Sequence, residues 1–356
     1  MTAKVRHSGI ELLRIVAAMG IILIHIGDGR ITNVVFPFVN HVTLYLIESF
    51  AHCCVNLFIL ITGYFLINTD KRTVGKPLDL LVQVLLVQTA MFVVYLLTNR
   101  LDFSLHNVAL YCTPNNYFVV LFIVLYLISP YLNRILRNLS RKEWKCLITI
   151  TMMIFSFYAT AVDFYGEILD KEWFGLSPIG AWGNQQGFNI VQFVLVYIWG
   201  AYLKIGNIVD FITKKKAILI FVISLVVCWL WAEINNYTSV QGLRSAWCYH
   251  NPFIIIMAVS LFVCFSKFTF SNRIVNSLAK AAFMSYILHT KVIMLFKWDE
   301  YLQFNVISML AIITAVIFLL YAVSWIVYNA YTVLSTPVFR KLNHIELPFF
   351  ENQGKL

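Results

Sequence analysis

The sequence predicts an all-α, polytopic membrane protein of ten helices, and three observations carry that prediction. Of 356 residues, 60% are hydrophobic and 12% are charged, and the mean hydropathy is +0.77, values that belong to chains solvated by lipid. Apolar segments of spanning or near-spanning length recur from end to end. Lysine and arginine are shared unequally between alternate connections, as orientation in a bilayer requires. No stretch is polar enough for a separate soluble domain, so 1–356 reads as a single transmembrane domain with short tails, 1–8 and 331–356, expected in the cytoplasm.

The predicted spans are 9–27, 42–67, 77–98, 117–133, 146–163, 188–203, 217–234, 250–265, 281–296 and 306–330. The first follows Lys4 and Arg6 as a signal peptide would, but no small-residue cleavage site follows "LIHIGDGR", so it reads as an uncleaved helix. Basic clusters then bound the helices in turn: Lys71, Arg72 and Lys76 after the second, Arg134 to Lys145 after the fourth, and "KKK" at 214–216 before the seventh. With the N-terminus inside, the outer connections hold only Arg30, Arg100, Lys171, Arg244 and Lys297. Arg14 and Lys291 lie within spans, and the other 20 of the 27 basic residues fall on the cytoplasmic side.

That 20:5 bias accounts for the net charge of +10 as a topology signal and removes the case for a nucleic-acid partner. Trp144, Trp173, Trp247 and Trp298 fall near span ends, where an aromatic belt is expected. The seven cysteines show no C-x-x-C spacing and mostly sit in apolar segments, so no metal site or disulfide framework is placed on them. The outer segment 164–189, rich in Trp, Gly, Asn and Gln, is longer than a connection needs.

Ionisable residues inside spans are costly and mark candidate function. In "GIELLRIVAAMGIILIH", Arg14 and His25 are eleven residues apart, which returns to within about 20° of the same helix face at a separation of about 16.5 Å. Glu11, one turn from Arg14, is placed to pair with it. A structural ion pair would account for Glu11 and Arg14 and leave His25 unexplained. In the second span Glu48, His52 and Asn56 form a stripe at i, i+4 and i+8, for which hydrogen bonding between packed helices weighs nearly equally with function. The ninth span places Ser285 and His289 on one face, with Tyr286 and Lys291 beside them; Lys291 needs no role beyond reaching toward the interface. No phosphate-binding loop and no G-x-S-x-G elbow occurs.

These stretches carry a resemblance. "GIELLRIVAAMGIILIH" is similar to the first span of the acyltransferase-3 family, marked by arginine and histidine in R-x10-H spacing, and "VNLFILITGYFL" resembles its second-span motif. "YFVVLFIVLYLISPYLN" resembles the fourth span, and "NPFIIIMAVSLF" with "AAFMSYILHTKVI" the eighth and ninth. The loop "DKRTVG" lacks the R-x-x-R pattern often found there, and "NNYFVV" replaces an expected tryptophan. The resemblance implies a membrane O-acyltransferase, commonly moving acetyl from acetyl-CoA as co-substrate, with no bound cofactor, to hydroxyls of glycans or lipids. It implies Arg14 and His25 as the essential pair with His289, and Lys71 and Arg72 in contact with the coenzyme.

Residues and resemblance together give the expectation. Arg14, near the inner face, offers a guanidinium for bidentate phosphate contacts. His25, toward the outer side, takes the proton of the acceptor hydroxyl, with a transient acyl-histidine as the other route. Glu48 joins the catalytic candidates. His52, Asn56 and, from "RSAWCYHNP", Trp247, His250 and Asn251 are candidate contacts for a polysaccharide or lipid-linked glycan. A multi-pass protein of the plasma membrane follows, with the bilayer, acyl-CoA and glycan as partners. The competing reading is a transporter or flippase of a small polar molecule or glycan precursor. Its discontinuous helices near the midplane find no clear counterpart, since Pro252 is the main breaker and lies near an outer end. Reporter fusions after residues 75, 140 and 215 are expected to report cytoplasm, and fusions near 105, 175 and 240 the outside; the inverse pattern would overturn the orientation.

Overall fold

The computed structural model describes residues 7–27, 37–169, 171, 175–238 and 244–349. Lys4, Arg6, Arg30, Trp173 and Lys355 of the reading above, and the Arg244 side chain, lie outside the described residues. Each of the ten predicted segments contains a helix: α1 Ser8–Gly27, α2 Phe38–Leu66, α3 Gly75–Leu97, α4 Tyr117–Arg137, α5 Arg141–Ile168, α6 Ile190–Ile205, α7 Lys214–Tyr237, α8 Pro252–Ser266, α9 Ala282–Ile293 and α10 Val306–Leu342. Among the described residues, eight candidate spans are long and apolar enough to cross a membrane, with α8 counted from Ser245. α6 has 16 residues and α9 has 12, short of the roughly 20 a full crossing uses. No strand occurs among the described residues beyond an isolated bridge between Thr73 and Glu346. The protein is all-α and polytopic.

Side chains at the helix starts explain where the chain turns. Asn116, Asn189 and Asn251 accept backbone N–H groups at the starts of α4, α6 and α8, and Ser140 with Glu143 forms a reciprocal capping box on α5. α5 loosens into a π-helical turn at Met153–Tyr158. α10 runs past the predicted end at 330 to Leu342, about 55 Å in all, well beyond a hydrocarbon core of about 30 Å. Contacts outside the apolar run hold that extension. Tyr331 donates to Asp79 Oδ1 at 2.6 Å, and residues 345–347 cross the α2–α3 loop through Val74 N–H to Ile345 O and Leu347 N–H to Arg72 O.

The helices form a centre and a surround. The apolar windows of α1, α2 and the α8 segment are 67%, 72% and 78% buried, against 22% for α5 and 28% for α7. The outer helices present leucines and isoleucines such as Leu219 and Ile223, which is the surface lipid would cover. Trp144 and Trp298, expected in an interfacial belt, are buried instead, and Trp298 donates to Ile293 O; packing at these helix ends encloses them.

In lipid the hydrophobic effect does not press helices together, so close van der Waals contact must do so. Gly63 of α2 and Gly200 of α6 provide it: a Cβ at Gly63 would lie 2.3 Å from Tyr197 O, and one at Gly200 would lie 2.2 Å from Leu60 O. Neither carbonyl can yield without moving a helix. Gly200→Ala is therefore expected to cost about 1–3 kcal/mol, read as a lower thermal midpoint of the detergent-solubilised protein. Gly180→Ala, with 3.6 Å of room to Gly183 O, should leave the midpoint unchanged; equal midpoints for all three proteins would refute the close-crossing account.

Candidate functional site

α1 sits in the centre, against α2, α8, α9 and α10, yet Arg14 and His25 are only partly buried. Arg14 pairs with Glu11 at 2.8 Å and its guanidinium lies 5.9 Å from the centre of the Phe65 ring. The pair holds the guanidinium along the helix while its side chain stays 31% exposed, open to a further anion.

At the other end of the stripe, α9 brings His289 to His25, ring centres 4.7 Å apart and tilted by 46°. His289 is buried. Its Nδ1 lies 3.3 Å from Ser285 O, one turn earlier, which assigns the proton to Nδ1 and leaves Nε2 as an acceptor. That Nε2 has no hydrogen-bond partner in the protein, and neither has the buried Ser285 hydroxyl. Beside them the Tyr286 ring lies 5.7 Å from His289, its hydroxyl donating to Asn116 Oδ1 at 3.0 Å. Tyr117, beside Asn116 at the start of α4, meets the Phe188 ring at 4.9 Å, Phe188 meets Tyr249 at 5.1 Å, and the Tyr249 ring lies 6.1 Å from His52. Asn116, Tyr117 and Tyr249 escaped the sequence reading because their only signal was position near a helix end. Lys291 extends from α9 over the Tyr111 ring.

The second-span stripe divides. Glu48 is buried, and its carboxylate lies 3.7 Å from His52 Nδ1. The His52 ring stacks on Trp247, centres 5.4 Å apart at 12°, and Trp247 donates to Ser49 Oγ. Trp247 is half-buried. Asn56 faces the packed interior instead: its Nδ2 donates to Tyr249 O at 2.8 Å and its Oδ1 accepts from Gln192 Nε2 at 3.2 Å. Asn251 is likewise committed, its Oδ1 capping α8 and its Nδ2 donating to Ser245 O. His250 is fully buried beside Asp163, with Nε2 and Oδ2 3.0 Å apart. These three amino acids hold the frame behind His52 and Trp247, and the structure gives them no accessible surface for a sugar.

Lys71 and Arg72 part company. Lys71 is exposed and pairs with Glu346 at 3.0 Å. Arg72 is fully buried. Pro130 in α4 has no N–H to offer the Tyr126 carbonyl, and Arg72 Nε takes that acceptor at 3.1 Å. Arg72 also donates to Ser129 Oγ, Thr69 O and Lys71 O. Burial pulls the guanidinium pKa down, while Tyr197, Tyr126 and Asp70 oppose the shift. These bonds commit Arg72 to holding the loop. The cation within electrostatic reach of Arg14 is Lys76, on the first turn of α3, with Asp79 beside it.

No curated protein and no solved structure matches this chain. One family model does, described as an acyltransferase domain, and it covers residues 7–329, from the residue before α1 to residue 329 within α10. With α1 bearing Arg14 and His25 and α9 bearing His289 all inside that match, the chain belongs to the acyltransferase-3 family.

Proposed function

We propose that this membrane acyltransferase takes an acetyl group from acetyl-CoA and passes it to a hydroxyl of a cell-surface polysaccharide or lipid-linked glycan, in the plasma membrane, with its N-terminus in the cytoplasm. The observation that carries the reading is His25 against His289 at 4.7 Å, on the same α1 face as Arg14. Arg14, with Lys76 nearby, binds the phosphates of the donor at the cytoplasmic end, where charge-assisted bonds to a guanidinium are strongest. The extended pantetheine arm then follows α1 toward His25, about 16.5 Å further along the axis.

At that end His25 accepts the proton of the acceptor hydroxyl as its oxygen attacks the thioester carbonyl. The tetrahedral intermediate collapses with loss of the coenzyme thiolate, which takes the proton back from the His25 imidazolium. The products are the acetyl ester and free coenzyme A. His289 Nε2, an acceptor in a dry setting, is suited to receive an N–H of the His25 imidazolium and so favour the charged state at the moment it forms. The open face of Trp247, backed by His52, is suited to stack against a sugar ring.

Two measurements test these roles. Replacing His25 by Ala, Asn or Gln is expected to lower ester-linked acetyl on purified glycan by roughly 10²-fold or more per enzyme in the membrane, with protein levels near normal. A well-expressed His25→Asn protein with wild-type acetyl content would end the base assignment. Arg14→Ala should raise the acetyl-CoA KM by roughly ten- to a hundredfold, the scale of a lost hydrogen bond to a charged group, and Arg14→Lys by less. Unchanged donor dependence in Arg14→Ala membranes would remove Arg14 from donor binding.

A further inference from the structure

One of the buried polar groups outside this site is His250. It is fully buried, its Nδ1 has no hydrogen-bond partner, and its Nε2 lies 3.0 Å from Asp163 Oδ2 without hydrogen-bond geometry. We propose that Asp163, Cys248 and His250 form a zinc site that braces the α5 end against the segment preceding α8.

The three donor atoms lie within 4.8 Å of one another. His250 Nε2 is 3.0 Å from Asp163 Oδ2 without hydrogen-bond geometry, and the Cys248 thiol donates a long hydrogen bond to the same oxygen, Sγ to Oδ2 3.8 Å. Neighbouring donors around a tetrahedral ion at about 2.0–2.3 Å are roughly 3.3–3.8 Å apart, so a small separation of His250 from Asp163 and loss of the thiol proton would admit the ion. The surroundings orient the set. Asn184 Nδ2 donates to the other Asp163 oxygen at 2.6 Å, and Ser156, in the π-helical turn of α5, donates to His250 O at 2.6 Å. The first contact fixes the direction of the carboxylate, and the second holds the His250 backbone.

The donor chemistry selects the ion. Thiolate, imidazole and carboxylate suit zinc and disfavour magnesium and calcium, which demand oxygen ligands. Binding removes the thiol proton, and thiolate plus carboxylate then neutralise the dication, leaving the fourth position for water. Because Trp247 and Tyr249 flank Cys248, the ion would hold in register the ring that stacks on His52 and the backbone carbonyl that Asn56 and Gln192 grip.

The test uses the purified full chain in detergent, loaded with zinc chloride, desalted through a weak chelator and assayed for metal, with cobalt loading in parallel. About one zinc per chain is expected, together with a thiolate-to-cobalt charge-transfer band and the intense visible bands of four-coordinate cobalt. Cys248→Ser should lose the charge-transfer band and His250→Gln most of the zinc. His25→Asn should keep full loading, which separates this site from the acyl-transfer reading. Wild-type protein without stoichiometric zinc or without the cobalt–thiolate band overturns the proposal however the variants fold, and so does a Cys248→Ser protein that retains the band.

Discussion

One carbonyl organises the middle of this molecule. Tyr249 O accepts from Asn56 Nδ2 at 2.8 Å and from Gln192 Nε2 at 2.6 Å, and Gln192 also donates to Asn56. These bonds tie α2, α6 and the segment entering α8 together among buried residues, where a hydrogen bond is electrostatically stronger than in water. Along the same pair of helices, Gly63 and Gly200 bring the backbones into contact. Polar bonds set the register and the glycines set the distance. Both are needed because apolar side chains alone gain little by leaving lipid for protein.

A second dependency runs through the α2–α3 loop. Pro130 opens α4 at the Tyr126 carbonyl, and Arg72 closes the gap while its other donors gather the loop around it. The loop backbone thereby becomes rigid enough to pair with residues 345–347 and to begin α3 at Gly75, which sets Lys76 near Arg14. A buried arginine thus bears on the donor side through geometry, with Arg14 and Lys76 left as the cations that can face an anion.

These frames explain why two histidines can meet between helices. His25 lies on the central helix and His289 on one of the shortest, α9, and their contact depends on α1 being enclosed on several sides. Tyr286 bonds Asn116, and the rings of the adjacent Tyr117, of Phe188 and of Tyr249 lead from there to His52 in the Glu48–His52–Trp247 group. A brace at Asp163, Cys248 and His250 would act on the same segment, residues 245–251, that carries the Trp247 ring stacked on His52.

The sequence by itself determined the class of fold, the order and approximate limits of the helices, and the coincidence of Arg14 and His25 on one face, because hydropathy and helical periodicity are local properties of a chain. It also carried the family, through short motifs that keep their order along the chain. Tertiary structure decided what each polar residue does. Asn56 and His52 look alike on a helical wheel, yet one faces Gln192 and the other Trp247. Lys71 and Arg72 are adjacent, yet one is exposed and the other sealed beneath a proline-broken carbonyl more than fifty residues away. Asp163 and His250 meet across 87 residues, and no spacing rule along the chain anticipates that. The physical reason is the same in each case: helix formation is settled by neighbours in sequence, whereas the partner of a buried polar group is settled by which helices cross and how closely.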